Sequence, residues 1–278
     1  MKTIRFKSAL LVAVALLVVV AGGCSEDDDN NFPEKDGKLL VTKMEFKASY
    51  WDEEVGNLLP IGEYDLTEMK YNEQGELAEW WSNGVCAGHY TYTEGKILVR
   101  EEPISGSFEH ILSPEGNVFE TVYADGSRDK LVYNEKGQCV EINHNSGYTT
   151  LFQWAGGQVT SVKYKDMAGM PSCRIDYTDI PQKSNAPCLR SLLLNYCGYF
   201  TNLEISGHLD ISSDKYLPAK AVMEYEDGYV MIFEATYDLN PDGTVKTVHV
   251  TLNDGMLSSP EENCLVYDAN VTYTYITK

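Results

Sequence analysis

Histidine side chains are frequent acid and base catalysts, but this chain of 278 residues places its five histidines in no recognisable catalytic motif. None belongs to a His-Glu-x-x-His zinc pattern, and the chain contains no Gly-x-Ser-x-Gly nucleophile elbow and no phosphate-binding loop. We therefore expect solvated strand histidines and a protein that is not an enzyme. A hydrolase whose catalytic groups meet only in the folded chain is the less favoured alternative. The histidines are His89, His110, His144, His208 and His249.

One segment has the ligand spacing of a cation site. The run Asp238-x-Asn240-x-Asp242-Gly243-x-Val245 matches the first eight positions of a calcium loop, in which oxygen ligands alternate before a glycine turn. The twelfth position is His249, where such a loop needs a bidentate glutamate. A hairpin turn explains the same residues, so we expect no metal and no cofactor.

Aromatic side chains are the remaining candidates for a ligand site. The chain has 19 tyrosines and four tryptophans, and exposed aromatic rings in a concavity can stack on a sugar or a peptide. Burial of the same rings in the core is the competing interpretation. Adjacent tryptophans in a strand point to opposite faces, so one of Trp80 and Trp81 must be exposed or covered by another element. The candidate ligand-binding residues are Trp51, Trp80, Trp81 and Trp154.

The N-terminus has the layout of an export signal. Basic residues precede 13 apolar residues, 9–21, a run that is too short for a membrane-spanning helix of about 20 residues. The junction Gly22-Gly23-Cys24 resembles the lipobox of bacterial lipoproteins, which implies cleavage after residue 23 and acylation of Cys24. An ordinary signal peptide with a cysteine nearby by chance is the alternative.

The residues after Cys24 are acidic. They resemble the signal that sends lipoproteins of some Gram-negative bacteria to the outer face of the outer membrane, and a solvated spacer is the alternative. The resemblance implies an outer-membrane protein held by an N-terminal acyl anchor and facing the cell exterior. The residues of this run are Ser25, Glu26, Asp27, Asp28 and Asp29.

The charge of the chain narrows the range of partners. Its formal net charge is −20, and cleavage of residues 1–23 would remove Lys2, Arg5 and Lys7 and make it more negative still. Such a surface repels phosphate backbones and anionic head groups, so nucleic acid is not expected as a partner. Attachment to the membrane must then depend on the acyl chains.

Residues 24–38 are polar and acidic and read as a flexible tether. A single β domain is predicted over 39–278, because apolar and polar residues begin to alternate with period two near Leu39.

Within that domain, residues 64–180 carry a repeat. The sequence Tyr71-Asn72-Glu73-Gln74-Gly75-Glu76-Leu77 recurs as Tyr133-Asn134-Glu135-Lys136-Gly137-Gln138-Cys139. Looser copies are centred on Gly95, Gly116 and Gly157, and a second set of glycine turns lies between them. Strands of this length between such turns predict an all-β, up-and-down antiparallel meander. Gly137 is expected to have a positive φ angle.

The segment 181–215 interrupts this rhythm. Several prolines punctuate it, and the apolar residues of 192–200 have helical spacing, which predicts a short helix near 187–200. Residues 216–278 return to the strand pattern.

The cysteines have no metal-ligand spacing. Cys139 takes the aliphatic position of its repeat, so we expect it to be buried as a small apolar side chain. If a disulfide forms, Cys188 with Cys197 or with Cys173 is the favoured pair, because the irregular segment gains most from a cross-link.

The repeated aromatic-Asx-x-x-Gly-x-aliphatic unit resembles degenerate repeats of the YD or RHS type. Together with the lipobox and the acidic leader, it makes the mature chain similar to a family of secreted lipoproteins of unknown function with a porin-like fold. The resemblance implies a strongly curved sheet or a partly closed barrel, and it implies no active site. A membrane-spanning barrel is disfavoured, because the strands carry charges such as Arg100 and Lys163 on their wet face.

Two functions from different classes follow. The first is a non-catalytic module at the cell surface that binds a glycan or a peptide. The second is a structural or assembly lipoprotein that contacts another envelope protein.

Overall fold

The computed structural model describes residues 39–52, 54–60, 65–101, 106–188, 216–256 and 259–277. These residues form one antiparallel sheet of 17 strands. In chain order the strands are β1 (Leu39–Asp52), β2 (Asn57–Pro60), β3 (Asp65–Tyr71), β4 (Leu77–Ser82), β5 (Val85–Thr93), β6 (Lys96–Glu101), β7 (Gly106–Leu112), β8 (Val118–Tyr123), β9 (Arg128–Tyr133), β10 (Cys139–Asn143), β11 (Thr149–Ala155), β12 (Gln158–Lys165), β13 (Ser172–Pro181), β14 (Tyr216–Glu224), β15 (Tyr229–Leu239), β16 (Val245–Met256) and β17 (Ser259–Thr277).

Strand β1 closes the sheet into a barrel. It pairs with β17 from Leu39↔Thr277 to Tyr50↔Tyr267, and with β3 from Lys43↔Glu68 to Phe46↔Asp65. From β3 onward each strand pairs with the next, so β1 and β3–β17 form a ring of 16 strands. Strand β2 lies beside the ring, where it pairs with the end of β1 as a hairpin.

The all-β, up-and-down architecture predicted from the repeat is therefore confirmed. The expectation of an open or partly closed sheet is wrong, because the barrel closes completely. The pairing that closes it joins residues more than 200 positions apart, and periodicity along the sequence reports only on neighbouring strands. The helix predicted near 187–200 lies outside the described residues apart from its first two positions, and the described residues include no helical element.

The turns within the repeat share one geometry. At the turn after β9, Gly137 has φ 78°, and its N–H donates to the Asn134 carbonyl, while the Asn134 N–H donates to the Gln138 carbonyl. The turn after β3 repeats this pattern at Asn72 and Gly75. Glycine adopts a positive φ without the steric cost that a Cβ imposes, and the predicted turn at Gly137 is confirmed.

A β-bulge follows each of these long turns. In five hairpins the register shifts by one residue just after the buried aliphatic position of the repeat. Bulges bend a strand and increase its twist, so a bulge repeated at the same place in successive hairpins curves the sheet in one direction. The positions are Leu77, Val118, Cys139, Val159 and Val245.

The aromatic residue of the repeat ties each strand to its neighbour. Tyr133 Oη donates to the Val118 carbonyl at 2.6 Å, and Trp154 Nε1 donates to the Cys139 carbonyl at 2.8 Å. We call the whole set the aromatic belt, and it lies at the rim where odd-numbered strands from β3 onward end. In the other members of the belt a tyrosine hydroxyl donates to a backbone carbonyl: Tyr71 donates to Val41, Tyr92 to Leu77, Tyr177 to Val159, Tyr237 to Pro218 and Tyr275 to Val245.

The hydroxyl groups of the aromatic belt are more buried than those of tyrosines on the surface. Burial raises the pKa of Tyr71 to about 12, although a hydrogen bond with Asn185 opposes this shift. Leu112 holds the corresponding position of β7, and its side chain has no hydrogen-bond donor. The barrel therefore tolerates the loss of one side-chain hydrogen bond from the belt.

We expect Tyr133→Phe to lower the free energy of unfolding by about 1 kcal/mol, because it removes one hydrogen bond and keeps the ring. The matched control is Tyr50→Phe on the exposed β1–β2 hairpin, which should change stability very little. Urea denaturation of both variants measures the difference. Equal stability of the two variants would contradict a role for the belt hydroxyl.

Apolar side chains fill the described interior of the barrel. Strand β6 shows the alternation, since Ile97 and Val99 are buried while Lys96, Leu98 and Arg100 are exposed. The buried residues form one cluster with members from every strand of the ring except β7, from which the partly buried Phe108 and Leu112 pack against it. Barrels of this strand number that conduct ions keep a water-filled lumen. The described lumen of this barrel is instead a packed core.

The outward face carries ion pairs between neighbouring strands. Membrane-spanning barrels have the opposite arrangement, with an apolar band outside and polar groups inside. Each exposed pair adds little to stability, so the pairs chiefly show that this wall is hydrated. The pairs are Lys70 with Glu79 (2.9 Å), Lys96 with Glu109 (3.0 Å), Arg128 with Glu120 (2.7 Å) and Lys220 with Glu234 (3.0 Å).

Among the described residues, no helix has the length and apolar character that crossing a membrane requires.

Candidate functional site

Five chemically active side chains meet on the outer face of β3, β4 and β5, and we call them the outer-wall cluster. The sheet register brings them together. Lys70 lies opposite Glu79, Glu79 lies opposite His89, and Trp81 lies opposite Cys86.

A bulge at Ala87 makes this arrangement possible. Trp80 pairs with Gly88 and Trp81 pairs with Cys86, so Ala87 is the extra residue of β5. In a regular strand, residues three apart face opposite sides of the sheet. The extra residue brings Cys86 and His89 to the same face.

Glu79 is at the centre of the outer-wall cluster. Its Oε2 accepts hydrogen bonds from Lys70 Nζ at 2.9 Å and from Trp81 Nε1 at 2.8 Å, and its Oε1 lies 3.8 Å from His89 Nδ1. The hydrogen bonds from Lys70 and then from Trp81 hold the pKa of Glu79 below its usual range. The lysine Nζ also lies 4.0 Å from the centroid of the Trp81 ring.

A thiol completes the outer-wall cluster. Cys86 Sγ lies 3.4 Å from His89 Nε2 and 4.0 Å from His89 Nδ1, and Nδ1 also lies 3.8 Å from Glu79 Oε1. Cys86 is half-buried and His89 is exposed, so reagents in solution can approach the pair. A thiol, an imidazole and a carboxylate in this order can generate a nucleophilic sulfur.

A second polar group crosses the inside of the barrel on β7–β11. His110 Nδ1 lies 2.9 Å from Thr121 Oγ1, and Thr121 lies opposite Asp129 in the register. His144 lies just after β10, with Nδ1 at 3.6 Å from Asp129 Oδ2 and Nε2 at 2.9 Å from Thr150 Oγ1. We call these five buried residues the interior polar strip.

Hydrogen bonds satisfy the carboxylate of the interior polar strip. Asp129 accepts from Tyr123 Oη and from the Asn145 N–H, each at 2.8 Å. Burial alone would raise the pKa of Asp129, but the contact with His144 and these two hydrogen bonds outweigh it and hold the pKa below its usual range. The His144 ring also stacks on Tyr148, with centroids 4.0 Å apart.

The order Thr150, His144, Asp129 is that of a nucleophile, base and orienting acid. Thr150 is only 2 % exposed, however, so a substrate cannot reach its hydroxyl in this structure. The interior polar strip is therefore closed to solutes in this structure and packs as part of the barrel interior.

The expectation of solvated histidines is wrong for His110 and His144. His110 shares the inward face of β7 with Phe108 and Leu112, a period-two signal that was present in the sequence. His144 gave no such signal, because it lies in a turn. His89 is exposed as expected, and His249 is partly exposed, with its Nε2 at 3.1 Å from both carboxylate oxygens of Asp268. His208 lies outside the described residues.

The four tryptophans do not converge. Trp80 points inward against the core, and a Cβ built on Gly88 would lie 2.4 Å from its Nε1, so glycine is needed there. Trp81 points outward and joins the outer-wall cluster, while Trp154 belongs to the aromatic belt. Trp51 is 40 % exposed on the β1–β2 hairpin. The role of these residues in ligand binding stays a prediction.

The turn considered for calcium has its polar groups bound to each other. Asp242 Oδ1 accepts from the Thr244 N–H at 2.9 Å and from Thr244 Oγ1 at 2.7 Å, and Asn240 Nδ2 donates to the same hydroxyl at 3.0 Å. The segment is a hairpin turn of the repeat. No three His, Cys, Asp or Glu side chains in the described ranges converge as metal ligands do.

Among the cysteines, Cys139 is fully buried as expected. Cys173 and Cys188 are buried, and the disulfide suggested between them is not formed. Cys197 and the predicted anchor and export residues, Cys24, Ser25, Glu26, Asp27, Asp28 and Asp29, lie outside the described residues.

A shallow hollow of about 440 Å³ lies elsewhere on the outer wall, between β12 and β13. Polar and charged side chains line it, including Lys163, Arg174, Asp176 and Glu224, and no aromatic ring contributes. It holds none of the tryptophans and no cluster that could carry chemistry, so we take the outer-wall cluster as the candidate site.

Comparisons with known proteins support the fold. A porin-like protein from Bacteroides uniformis has 14 % sequence identity and a TM-score of 0.62, over 85 % of this chain and 98 % of that one. A porin-like protein from Bacteroides vulgatus has 11 % identity and a TM-score of 0.51, over 85 % of this chain and 99 % of that one. At such low identity the similarity shows a shared fold alone.

No family model and no curated protein matches the chain. The porin-like fold implied by the sequence resemblance is thus confirmed, while kinship with YD-type repeats receives no support.

Proposed function

We propose that this chain is a lipoprotein of the cell surface, anchored through Cys24, whose barrel is a rigid scaffold for a non-catalytic glycan-binding site at the outer-wall cluster. The observation that carries the proposal is the packed interior. Because the described interior is built mainly of packed apolar side chains, recognition of a polar solute is assigned to the outer surface.

The outer-wall cluster has the chemistry that sugars require. The apolar face of a sugar ring packs on an aromatic side chain, and its hydroxyl groups need charged or polar partners beside that ring. Trp81 supplies the ring, while Glu79, Lys70 and His89 supply hydrogen-bonding groups around it. Lys70 is exposed and can move away from the indole face when a ligand stacks there.

The outer wall supports the proposed membrane anchor as well. Ion pairs link neighbouring strands on the described part of this wall, where a lipid-facing barrel would carry an apolar band. Acylation of Cys24 would hold the barrel at the membrane, and the acidic residues 25–29 would place it on the exterior face.

A glycan-array screen of the full-length lipoprotein in detergent tests the binding proposal. We expect Trp81→Ala to weaken any glycan detected by about tenfold, the scale of one lost aromatic contact. Trp51→Ala, a matched loss of an exposed indole far from the cluster, should bind as the unchanged protein does. Glycan binding that survives Trp81→Ala would overturn the assignment of the site.

The β1–β2 hairpin favours a second candidate function, contact with another envelope protein. Tyr50 and Trp51 lie on opposite faces of this ribbon, and both are about two-fifths exposed. Val55 at its tip is 60 % exposed. Apolar side chains on both faces of a hydrated hairpin do not serve the barrel core and are typical of a protein contact. Loss of envelope function in Trp51→Ala, with glycan binding intact, would favour this candidate.

A further inference from the structure

We propose that Cys86, His89 and Glu79 form a nucleophilic thiol site that exchanges with exposed disulfides of small molecules. This activity goes beyond glycan binding and uses the thiol of Cys86, while it shares Glu79 and His89 with the glycan site proposed above. The juxtaposition of a half-exposed thiol with an imidazole that faces a carboxylate carries the inference.

The order of the three groups is the first argument. Cys86 Sγ is 3.4 Å from His89 Nε2, a contact distance for a sulfur hydrogen bond. Glu79 Oε1 lies 3.8 Å from His89 Nδ1, and Cys86 Sγ also lies 4.0 Å from this nitrogen, so the thiol and the carboxylate both border the imidazole. The thiolate is the form of cysteine that attacks, and an imidazole beside the sulfur can take the thiol proton.

The rigidity of the site is the second argument. Glu79 cannot swing freely, because Lys70 and Trp81 both donate to its other oxygen. Cys86 and His89 are held on one face by the bulge at Ala87. Cys139, Cys173 and Cys188 are buried, so reagents in solution cannot approach them as they can approach Cys86.

The reaction follows from these positions. His89 takes the proton of Cys86, and the thiolate sulfur attacks one sulfur of a disulfide R–S–S–R′. A Cys86–S–S–R bond forms as the original S–S bond breaks, and R′–S⁻ leaves and takes the proton from the imidazolium. No net oxidant is needed, because the disulfide reactant supplies the oxidising equivalent.

Disulfide exchange is favoured over acyl transfer by the shape of the surface. Acyl transfer needs preorganised donors for an oxyanion and a cleft that positions the scissile bond. Exchange needs only an accessible thiolate aligned with an S–S bond, which the open face of β5 allows.

The test is the rate of reaction of the full-length protein with 5,5′-dithiobis(2-nitrobenzoic acid), followed by release of the coloured thiolate. Cys197→Ser and Cys264→Ser are introduced as the background so that Cys86 dominates the signal. In this background we expect His89→Gln to slow the reaction by about tenfold to a hundredfold at neutral pH, the scale of a positioned base. Glu79→Gln should slow it less, and Cys86→Ser should abolish the fast phase.

A matched control is Glu109→Gln, which removes a carboxylate paired to a lysine on the same outer wall, away from any thiol. It should leave the rate unchanged. The pH dependence of the rate distinguishes a chemical role of His89 from a structural one. The rate of the background protein should reach its plateau at a lower pH than the rate of the His89→Gln variant.

Mass spectrometry after incubation with oxidised glutathione gives a second measurement that needs no serine background. The mixed disulfide should map to Cys86. A rate independent of His89, a common pH profile for both proteins, or an adduct absent from Cys86 would overturn the proposal. None of these results depends on whether Trp81 binds a glycan.

Discussion

Asp129→Ala is expected to lower the free energy of unfolding by about 2–5 kcal/mol, because each buried donor that loses its acceptor costs about 1–3 kcal/mol. The substitution leaves Tyr123 Oη and the Asn145 N–H without their acceptor inside an apolar barrel. It also removes the carboxylate beside His144. Asp176→Ala, which truncates an exposed aspartate on β13, is the matched control and should cost much less.

The loss should depend on pH in a defined direction. The pKa of folded Asp129 lies below its unfolded value of about 3.9. Its ionisation therefore stabilises the fold fully above that value, and the stabilisation is lost as the pH falls through the folded pKa.

Urea denaturation from pH 7 down to pH 2 measures this effect in the unchanged protein and in Asp129→Asn. The gap in stability between them should narrow below about pH 4. A gap that is constant across this range would show that the charge of Asp129 does not stabilise the barrel.

Cys24→Ser is expected to move the protein almost entirely from the membrane fraction to the soluble fraction. Serine cannot be acylated by the lipoprotein pathway, and acyl chains contribute about 0.8 kcal/mol of membrane affinity per buried CH₂ group. Cell fractionation and mass measurement of the N-terminal peptide report the outcome. Cys197→Ser, a matched change at another cysteine, should leave the protein at the membrane.

A companion variant separates anchoring from export. Replacing Asp27, Asp28 and Asp29 by alanine should keep acylation and remove sensitivity of intact cells to added protease. Membrane retention of Cys24→Ser would contradict the anchor, while unchanged protease sensitivity of the triple variant would contradict the export signal.

The sequence predicted the repeat-based part of the fold well because its signals are local. A glycine that needs a positive φ, such as Gly137, and an aliphatic residue two positions later mark each long turn directly. The strand start at Leu39 also follows from simple alternation. Closure of the barrel does not follow from alternation, because β1 and β17 pair although they are far apart in the sequence.

The candidate site was harder to predict for the same reason. Trp81 was identified, yet its partners Lys70 and Glu79 come from cross-strand register. The contact of Cys86 with His89 depends on a bulge at Ala87, and residues three apart in a regular strand would have been assigned to opposite faces. The burial of Asp129 could not be read from a strand whose neighbours are charged.

The aromatic belt suggests how a barrel of this kind could change size during evolution. Each repeat unit brings its own donor, and that donor bonds to the strand before it, as Tyr133 does to Val118. Duplication of one hairpin would add a donor and an acceptor together and leave no carbonyl orphaned at the rim. The circumference can therefore grow or shrink by two strands at a time, and the one junction that every such rearrangement must preserve is the seam between the first strand and the last.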